Sequence, residues 1–384
     1  MVNRMILNET SYFGKGAIQE IVGEIKKRQF NKILVVTDKD LIKFKVATKV
    51  TDLLDGASID YEIYDGIVPN PTIADVKAGV LAAKKAKANA IVAIGGGSPI
   101  DTAKAIGIIV ENPEFSDVLS LEGVADTKKP SLPILAVSTT SGTAAEVTIN
   151  YVITDENSHR KFVCVDPHDI PIVAFVDSDM MMGMPKALAA ATGMDAMTHA
   201  IEGYITKGAW ELTDMLHLKA IEIIGRSLKN SVLDKAQAAR EEMALAQYIA
   251  GMGFSNVGLG LVHGMAHPLS AWYNIPHGVA CASLLPTIMK FNKDFTGEKY
   301  RDIARVLGVE NVDLISLEAA RNNACQAIDD LSKAVGIPAT ISELGVKVED
   351  IPQIAEDALR DVCTPGNPRD TTLEEIIELY QSLL

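Results

Sequence analysis

The residues with the clearest capacity for chemistry are one aspartate and four of the chain's seven histidines. Asp195 and His199 are four residues apart in a stretch whose composition predicts a helix. His263 and His267 repeat that spacing, and His277 follows after a proline that ends any preceding helix. Residues four apart share one face of a helix, so each pair can direct both side chains at one object. Imidazoles together with a carboxylate suit a divalent transition metal such as iron, zinc, manganese, cobalt or nickel.

The length and composition of the chain limit the classes of protein that can carry such a site. A chain of 384 residues with 48% hydrophobic residues is long for a single core, so we expect two domains. The formal charge of −14 argues against nucleic acid and anionic membrane surfaces as partners. We find no run near the ~20 apolar residues of a membrane span, and no signal-like segment. The four cysteines are scattered without a CxxC pair, which favours a reducing, cytoplasmic setting.

Apolar strands alternate with amphipathic helices in the first half of the chain. Strands are predicted over 32–38, 61–65, 90–94, 133–137 and 173–177, and a hairpin over 150–165. Continuous apolar strands separated by helices imply a parallel sheet covered on both faces. From residue 185 onward the pattern is helical. We therefore predict an α/β domain over 1–183 and an all-helical domain over 184–384.

A glycine-rich turn, Gly95-Gly96-Gly97, follows the third predicted strand and opens a helix. Three glycines let backbone N–H groups approach a diphosphate closely, and a helix N-terminus adds partial positive charge. We expect Ser98 to be the N-cap, Pro99 the first helical residue and Asp101 the capping-box residue. The spacing differs from the GxGxxG fingerprint, so a purely structural glycine turn is the alternative.

Two further strand ends carry groups that can bind a dinucleotide. The run 138–146, with hydroxyls from Thr139 and Thr140, follows the next strand, although an ordinary cluster of N-cap residues is the alternative. Asp38 ends the first predicted strand. A carboxylate there can accept both adenosine ribose hydroxyls and would repel a 2′-phosphate, which favours NAD over NADP. The alternative is an aspartate that only forms the turn.

These motifs together resemble the iron-containing (group III) alcohol dehydrogenases. The resemblance rests on Gly95-Gly96-Gly97-Ser98-x-x-Asp101, on the helix of Asp195 and His199, and on the long motif from His263 to His277. It covers essentially the whole chain. Four longer runs are more specific than the metal residues, and they are similar to the branch of the family that interconverts lactaldehyde and 1,2-propanediol. These runs are 3–10, 161–170, 252–265 and 298–305.

The resemblance implies a dehydroquinate synthase-like fold, with a Rossmann-like NAD-binding domain followed by an all-helical metal-binding domain. It implies NAD(H) and Fe²⁺ as cofactors, with Zn²⁺ as an alternative metal, a small aldehyde or alcohol as substrate, and a homodimer. The implied metal ligands are Asp195, His199, His263 and His277. The positions that match cofactor contacts are Asp38, Asn70, Gly97, Ser98, Thr139, Thr140, Val152 and Lys161. The positions that match substrate contacts are Asn150, Phe254 and Cys363.

His267 is implied by the resemblance to line the site without binding the metal. We interpret it as the catalytic residue that relays a proton to solvent, because a histidine pKa near neutrality suits that task. The alternative is that His267 only shapes the pocket. Four positions depart from the residues usual in the family, so the resemblance does not fix the width of the substrate pocket. They are Ser141, Trp272, Ile275 and Pro365.

Other interpretations remain at this point. Another alcohol dehydrogenase of the same family could act on 1,3-propanediol or on short-chain alcohols in general. A zinc polyol dehydrogenase, or a metal-dependent cyclase that uses NAD transiently, could share the fold. A protein that binds metal or nucleotide without chemistry would be of a different class. The metal is open as well, because zinc binds nitrogen–oxygen sites more tightly than ferrous iron.

Overall fold

A six-stranded parallel sheet forms the first of the two units into which the chain divides, residues 1–184 and 185–384. The computed structural model describes residues 2–158 and 160–384. Its strands are β1 (Thr10–Phe13), β2 (Lys32–Val36), β3 (Asp60–Tyr64), β4 (Ala90–Gly95), β5 (Ile134–Ser138), β6 (Asn150–Asp155), β7 (Arg160–Val165) and β8 (Val173–Val176). The sheet order is β1-β8-β5-β4-β2-β3, and β6 pairs with β7 as a separate antiparallel hairpin.

The sheet is covered by helices whose apolar faces meet both of its sides. Consecutive residues of β2 alternate between two cores: Ile33 and Val35 join one buried cluster, and Leu34 and Val36 join the other. Side chains of a strand point alternately to opposite faces, so a strand buried on both faces must be continuously apolar. The helices of this unit are α1 (Ile21–Lys27), α2 (Lys39–Lys43), α3 (Thr48–Gly56), α4 (Ile73–Ala86), α5 (Gly97–Glu111) and α6 (Ser178–Met181).

The predicted parallel sheet and hairpin are confirmed, with strand ends shifted by one or two residues. The strand β1 was not predicted from the sequence. Its residues are partly or fully exposed, and it lies at the edge of the sheet, where it pairs only with β8. An edge strand without a continuous apolar run has little sequence signal, because its pairing depends on a partner far along the chain.

Every regular element that the structure describes in residues 185–384 is helical, as predicted. These helices are α7 (Lys186–Ile205), α8 (Glu211–Leu233), α9 (Gln237–Val257), α10 (Leu261–Tyr273), α11 (His277–Asn292), α12 (Lys299–Val306), α13 (Leu317–Ala334), α14 (Ile351–Arg360) and α15 (Leu373–Gln381). All residues of α7 from Ala189 onward are buried, so this helix is the centre of the second unit.

Two glycines allow the helices around α7 to approach closely. A Cβ atom on Gly203 would lie 2.3 Å from Nε2 of His217, and one on Gly253 would lie 2.2 Å from the same atom. The buried ring of His217 therefore fills the space between α7 and α9.

No single helix in the described residues is long and apolar enough to cross a membrane; α9 and α10 meet those criteria only as a pair, bent by 100°.

Candidate functional site

The predicted metal-binding residues lie on three helices of the second unit. Asp195 is on α7, His263 is on α10, and His277 is the first residue of α11. Donor atoms of these three side chains and of Cys281 all lie within 4.8 Å of one another. Asp195 and His263 are almost fully buried. The helical spacing and the break before His277 thus bring one carboxylate and two imidazoles to a single point.

His199 and His267 border this cluster. The ring of His199 lies 4.6 Å from that of His263 and stacks on Phe254 at 4.2 Å, measured between ring centroids. The ring of His267 stacks on His277 at 5.3 Å. His199 is outside the group of donors within 4.8 Å, and its role as a ligand stays a prediction.

The carboxylate of Glu202 orients His263, a role that was not predicted from the sequence. Nδ1 of His263 lies 2.6 Å from Oε2 of Glu202, and both groups are 2% exposed. The same carboxylate accepts the backbone N–H of Val262 at 2.6 Å, at the start of α10. Glu202 follows Asp195 by seven residues on the same helix, so two turns of helical spacing could have identified it.

The donors fit a metal ion. With Nδ1 donating to Glu202, the other ring nitrogen of His263 carries the lone pair. That Nε2 atom is buried and has no hydrogen-bond partner among the described residues. Leaving a buried polar atom unsatisfied costs about 1–3 kcal/mol, and a metal ligand bond would remove that cost. Although burial opposes it, the hydrogen bond and charge of Glu202 raise the pKa of His263, so a proton competes with a metal for this atom.

Cys281 is a further donor, and its place in the site was not predicted from the sequence. Its Sγ atom lies 3.6 Å from Nε2 of His277, one helical turn earlier on α11. The spacing of four residues was the available signal. A thiolate in the donor set would favour zinc over ferrous iron, because soft ligands select softer metals.

A second carboxylate contacts His267. Nδ1 of His267 lies 2.7 Å from Oδ2 of Asp361, and Oδ1 of the same aspartate accepts the backbone N–H of Cys363 at 2.8 Å. Burial and the negative charge of Asp361 raise the pKa of Cys363 well above its usual value. The thiol of Cys363 therefore stays protonated at neutral pH, which agrees with a packing role rather than a nucleophilic one.

All eight predicted cofactor residues lie in the first unit, and five of them follow the carboxyl ends of three adjacent strands. The strands β2, β4 and β5 are neighbours in the order β5-β4-β2, and they are followed by Asp38, by Gly96 to Ser98, and by Thr139 and Thr140. The chain continues from β2 to β3 on one side and from β4 to β5 on the other. Ligands of open α/β sheets bind at such a switch point, outside the carboxyl ends of the strands.

The expected capping of the glycine turn was wrong. Helix α5 begins at Gly97, Gly96 is the N-cap, and no side chain of the described residues caps it. A Cβ atom on Gly95 would lie 2.3 Å from Cγ of Pro99, so the ring packs back onto the strand end and the helix starts before Ser98. The first backbone N–H groups of α5 are thus left without a side-chain acceptor, an arrangement that suits an anion.

The carboxylate of Asp101 binds the hairpin β6–β7 and does not cap α5. Its Oδ2 atom accepts the backbone N–H of Val152, at 3.1 Å, and thereby joins α5 to the hairpin β6–β7. Burial raises the pKa of Asp101 to about 6, while the charges of Lys104 and Lys161 oppose that shift. Val152 and Lys161, two predicted cofactor positions, therefore lie close to the first turn of α5.

Three predicted positions of the first unit, Asp38, Asn70 and Asn150, have structural roles of their own. Asp38 caps α2, because its Oδ1 atom accepts the backbone N–H of Leu41 at 2.8 Å. Burial raises the pKa of this half-buried carboxyl. Asn70 has a φ of 56°, which asparagine tolerates better than most residues. The carbonyl of Asn150 accepts Nζ of Lys104 at 2.8 Å. The turn-forming role of Asp38 is thus present, and its contact with a ribose stays a prediction.

Two family models match the chain. "Iron-containing alcohol dehydrogenase" matches residues 8–178, and "Fe-containing alcohol dehydrogenase family, C-terminal" matches residues 189–384. The lactaldehyde reductase of Escherichia coli K12 is 64% identical over 382 residues, covering 100% of both chains. The NAD-dependent methanol dehydrogenase of Bacillus methanolicus is 38% identical, covering 97% of this chain and 98% of the relative.

Solved structures with a similar fold come from the same family. The solved structure of an alcohol dehydrogenase from Oenococcus oeni matches with a TM-score of 0.96 and 38% identity, covering 100% of both chains. The resemblance inferred from the motifs and the predicted fold class are therefore confirmed. With family matches that span both units, the chain belongs to the iron-containing alcohol dehydrogenase family, whose members are oxidoreductases.

Proposed function

We propose that the protein is an NAD(H)-dependent, Fe²⁺-dependent oxidoreductase that interconverts lactaldehyde and 1,2-propanediol. The observation that carries this proposal is the donor cluster of Asp195, His263 and His277, in which Glu202 leaves the buried Nε2 atom of His263 available as a ligand. The 64% identity to a lactaldehyde reductase over the full length supports the choice of substrate.

The proposed metal ligands are Asp195, His199, His263 and His277. A divalent ion held by these residues would supply Lewis-acid chemistry, polarising an aldehyde carbonyl or lowering the pKa of an alcohol. We include His199 because its ring stacks on that of His263 at the edge of the donor cluster. Zinc is the expected substitute, because it binds nitrogen and oxygen ligands more tightly than ferrous iron.

The chain's own residues orient the substrate and manage the proton. Phe254 offers an apolar ring beside His199, suited to a methyl group. We assign Asn150, Phe254 and Cys363 to the substrate. His267 lies beside His277 and would relay the proton to solvent, since a correctly placed imidazole can serve as acid or base near neutral pH.

The proposed NAD(H) site is in the first unit. It comprises Asp38, Asn70, Gly97, Ser98, Thr139, Thr140, Val152 and Lys161. The uncapped start of α5 would receive the diphosphate, because its N–H groups and helix dipole favour an anion. The carboxylate of Asp38 would accept the ribose hydroxyls and repel a 2′-phosphate.

An aldehyde panel tests the substrate. Anaerobic protein loaded with Fe²⁺ is assayed for NADH oxidation at 340 nm with lactaldehyde, 3-hydroxypropanal and glyceraldehyde. We expect the highest kcat/KM with lactaldehyde. A clear preference for 3-hydroxypropanal would identify a 1,3-propanediol dehydrogenase, and a preference for polyol substrates with zinc would identify a polyol dehydrogenase. A flat absorbance trace with metal bound would favour a binding protein without chemistry.

We further propose a homodimer in a reducing, cytoplasmic setting. The cysteines form no disulfide in the part of the chain that the structure describes, which agrees with a reducing compartment. Size-exclusion chromatography with light scattering measures the assembly. A mass near twice that of the 41.2 kDa chain is the expected result, and a monomer at micromolar concentration would contradict it.

A further inference from the structure

We propose that Asp361 is a positioning residue for His267: its carboxylate holds the imidazole in one orientation and one tautomer for proton transfer. The two histidines of α10, His263 and His267, are each bound at Nδ1 by a carboxylate from another part of the second unit. For His263 that carboxylate is Glu202, and for His267 it is Asp361. The inference rests on the proposed function, since it concerns how His267 would act in that reaction.

The contact between the two side chains is short and shielded from water. Nδ1 of His267 lies 2.7 Å from Oδ2 of Asp361, and the side chains are 6% and 9% exposed. The second oxygen of Asp361 accepts the backbone N–H of Cys363 at 2.8 Å. Although burial alone would raise it, the contact with His267 lowers the pKa of Asp361, so the group is a carboxylate that accepts from both partners.

The segment that carries Asp361 is anchored against α10. Asp361 directly follows α14, and the segment then packs on Gly264, where a Cβ atom would lie 2.0 Å from Oγ1 of Thr364. That hydroxyl donates to the carbonyl of Ala358 at 2.6 Å. Because Gly264 is one turn before His267, the same close approach that admits Thr364 brings Asp361 to the imidazole.

A second anchor fixes the far end of the segment. Oδ1 of Asn367 accepts a hydrogen bond from Nδ2 of Asn292 at 2.8 Å. The carbonyl of Gly366 accepts one from the backbone N–H of Lys207 at 2.9 Å. The carboxylate of Asp361 is thus held by the frame of the helical unit. A supporting group fixed in this way keeps a catalytic side chain in its productive geometry.

The contact with Asp361 fixes the tautomer and the orientation of the His267 ring. With Nδ1 donating to Asp361, Nε2 is the nitrogen left to accept or deliver a proton. The ring also lies parallel to that of His277, at 5.3 Å and 18° between planes. Loss of the carboxylate would leave that stacking contact but would free the ring to rotate and to exchange tautomers.

A double-mutant cycle tests the inference. Asp361→Asn keeps the shape of the side chain and removes its charge, and His267→Ala removes the positioned group. We expect Asp361→Asn to lower kcat by a factor on the order of 10–100, with KM and metal content unchanged. In the His267→Ala background the same substitution should have no further effect, because the carboxylate acts only through the imidazole.

The matched control is Asp357→Asn. Asp357 is also on α14 and also binds a side chain of α10, because its Oδ2 atom accepts Nε1 of Trp272 at 3.1 Å. It carries the same charge without a contact to His267, so its variant should retain the wild-type kcat.

Three results would overturn the inference. These are a wild-type kcat for Asp361→Asn, losses that multiply in the double variant, and a loss of bound metal in Asp361→Asn, which would make the aspartate a ligand instead. If Asp361→Asn does not fold, Asp361→Glu, which displaces the carboxylate by one methylene, takes its place with the same outcomes. Any aldehyde that the wild type reduces serves for the cycle, so failure of lactaldehyde as substrate is distinguishable from failure of this inference.

Discussion

The carboxylate of Glu202 accepts the ring N–H of His263 at 2.6 Å and the backbone N–H of Val262 at the same distance. One side chain of α7 thus orients a proposed metal ligand and satisfies the first turn of α10, the helix that carries it. A Cβ atom on Gly260 would lie 3.0 Å from Oε1 of Glu202, so the glycine before α10 makes room for the carboxylate. The position of the ligand and the start of its helix are fixed by the same group.

Glu202→Gln should weaken metal binding by a factor on the order of 10–100, because the uncharged amide is a poorer acceptor for the ring N–H. The affinity is measured by anaerobic competition with a chelator of known affinity. Glu211→Gln, an exposed position at the start of α8, is the control and should bind like the wild type. Equal affinity of Glu202→Gln and the control would show that the carboxylate does not support the ligand.

Asp38→Gly should relax cofactor choice toward NADP(H), because it removes the charge that opposes a 2′-phosphate. We expect the ratio of kcat/KM for NADPH to that for NADH to rise on the order of tenfold, which corresponds to ~1.4 kcal/mol. Asp38→Asn separates charge from capping, since asparagine also caps helices well. A change in the glycine variant alone would assign the effect to the lost cap of α2 rather than to the charge.

The choice between His199 and Cys281 as a ligand is open to a direct test. His199→Ala should lower metal content, whereas Cys281→Ser should leave it unchanged, because we expect three imidazoles and one carboxylate to hold the ion. The cobalt form reports the donors, since a thiolate ligand adds an intense near-ultraviolet band. Such a band in the wild type that is lost in Cys281→Ser would replace His199 by Cys281 in the ligand set.

The iron form should lose activity in air, whereas the zinc form should be spared because zinc has no redox chemistry. Radicals formed at ferrous iron would attack the nearest imidazoles. Mass spectrometry should therefore find oxidised histidine in the peptides that carry residues 263–277. Thiol oxidation at Cys363 is the competing cause, and dithiothreitol reverses disulfides and sulfenic acids but not oxidised imidazole. Full recovery with dithiothreitol, or equal sensitivity of the zinc form, would rule out the iron-centred account.

Spacing along one helix was the most informative part of the sequence. The interval of four residues between Asp195 and His199, and between His263 and His267, identified two helices whose faces meet in the second unit. The continuous apolar runs likewise predicted a sheet buried on both sides. Both inferences use periods that the backbone itself imposes, so they hold without knowledge of the tertiary structure.

Helical spacing places Glu202 on the same face of α7 as Asp195, but it could not predict which histidines the two supporting carboxylates contact. Glu202 is 61 residues from His263, and Asp361 is 94 residues from His267, so neither contact has a local period. The prediction that Ser98 caps α5 was wrong for a related reason. Pro99 packs on Gly95, and the carboxylate of Asp101 binds the backbone of the hairpin instead of the helix start. The contacts of Glu202, Asp361 and Asp101 join residues distant in sequence, and such contacts override the local rules of helix spacing and capping.

The most direct test of the account is a titration of metal-free protein with Fe²⁺ under anaerobic conditions, with NADH oxidation at 340 nm followed in the presence of lactaldehyde. We predict that activity rises with iron and reaches a plateau at one ion per chain. His263→Ala should neither retain iron nor turn over, whereas His267→Ala should retain iron and turn over slowly. Full activity of the metal-free protein, no turnover with iron bound, or equal loss of iron in both variants would contradict the account.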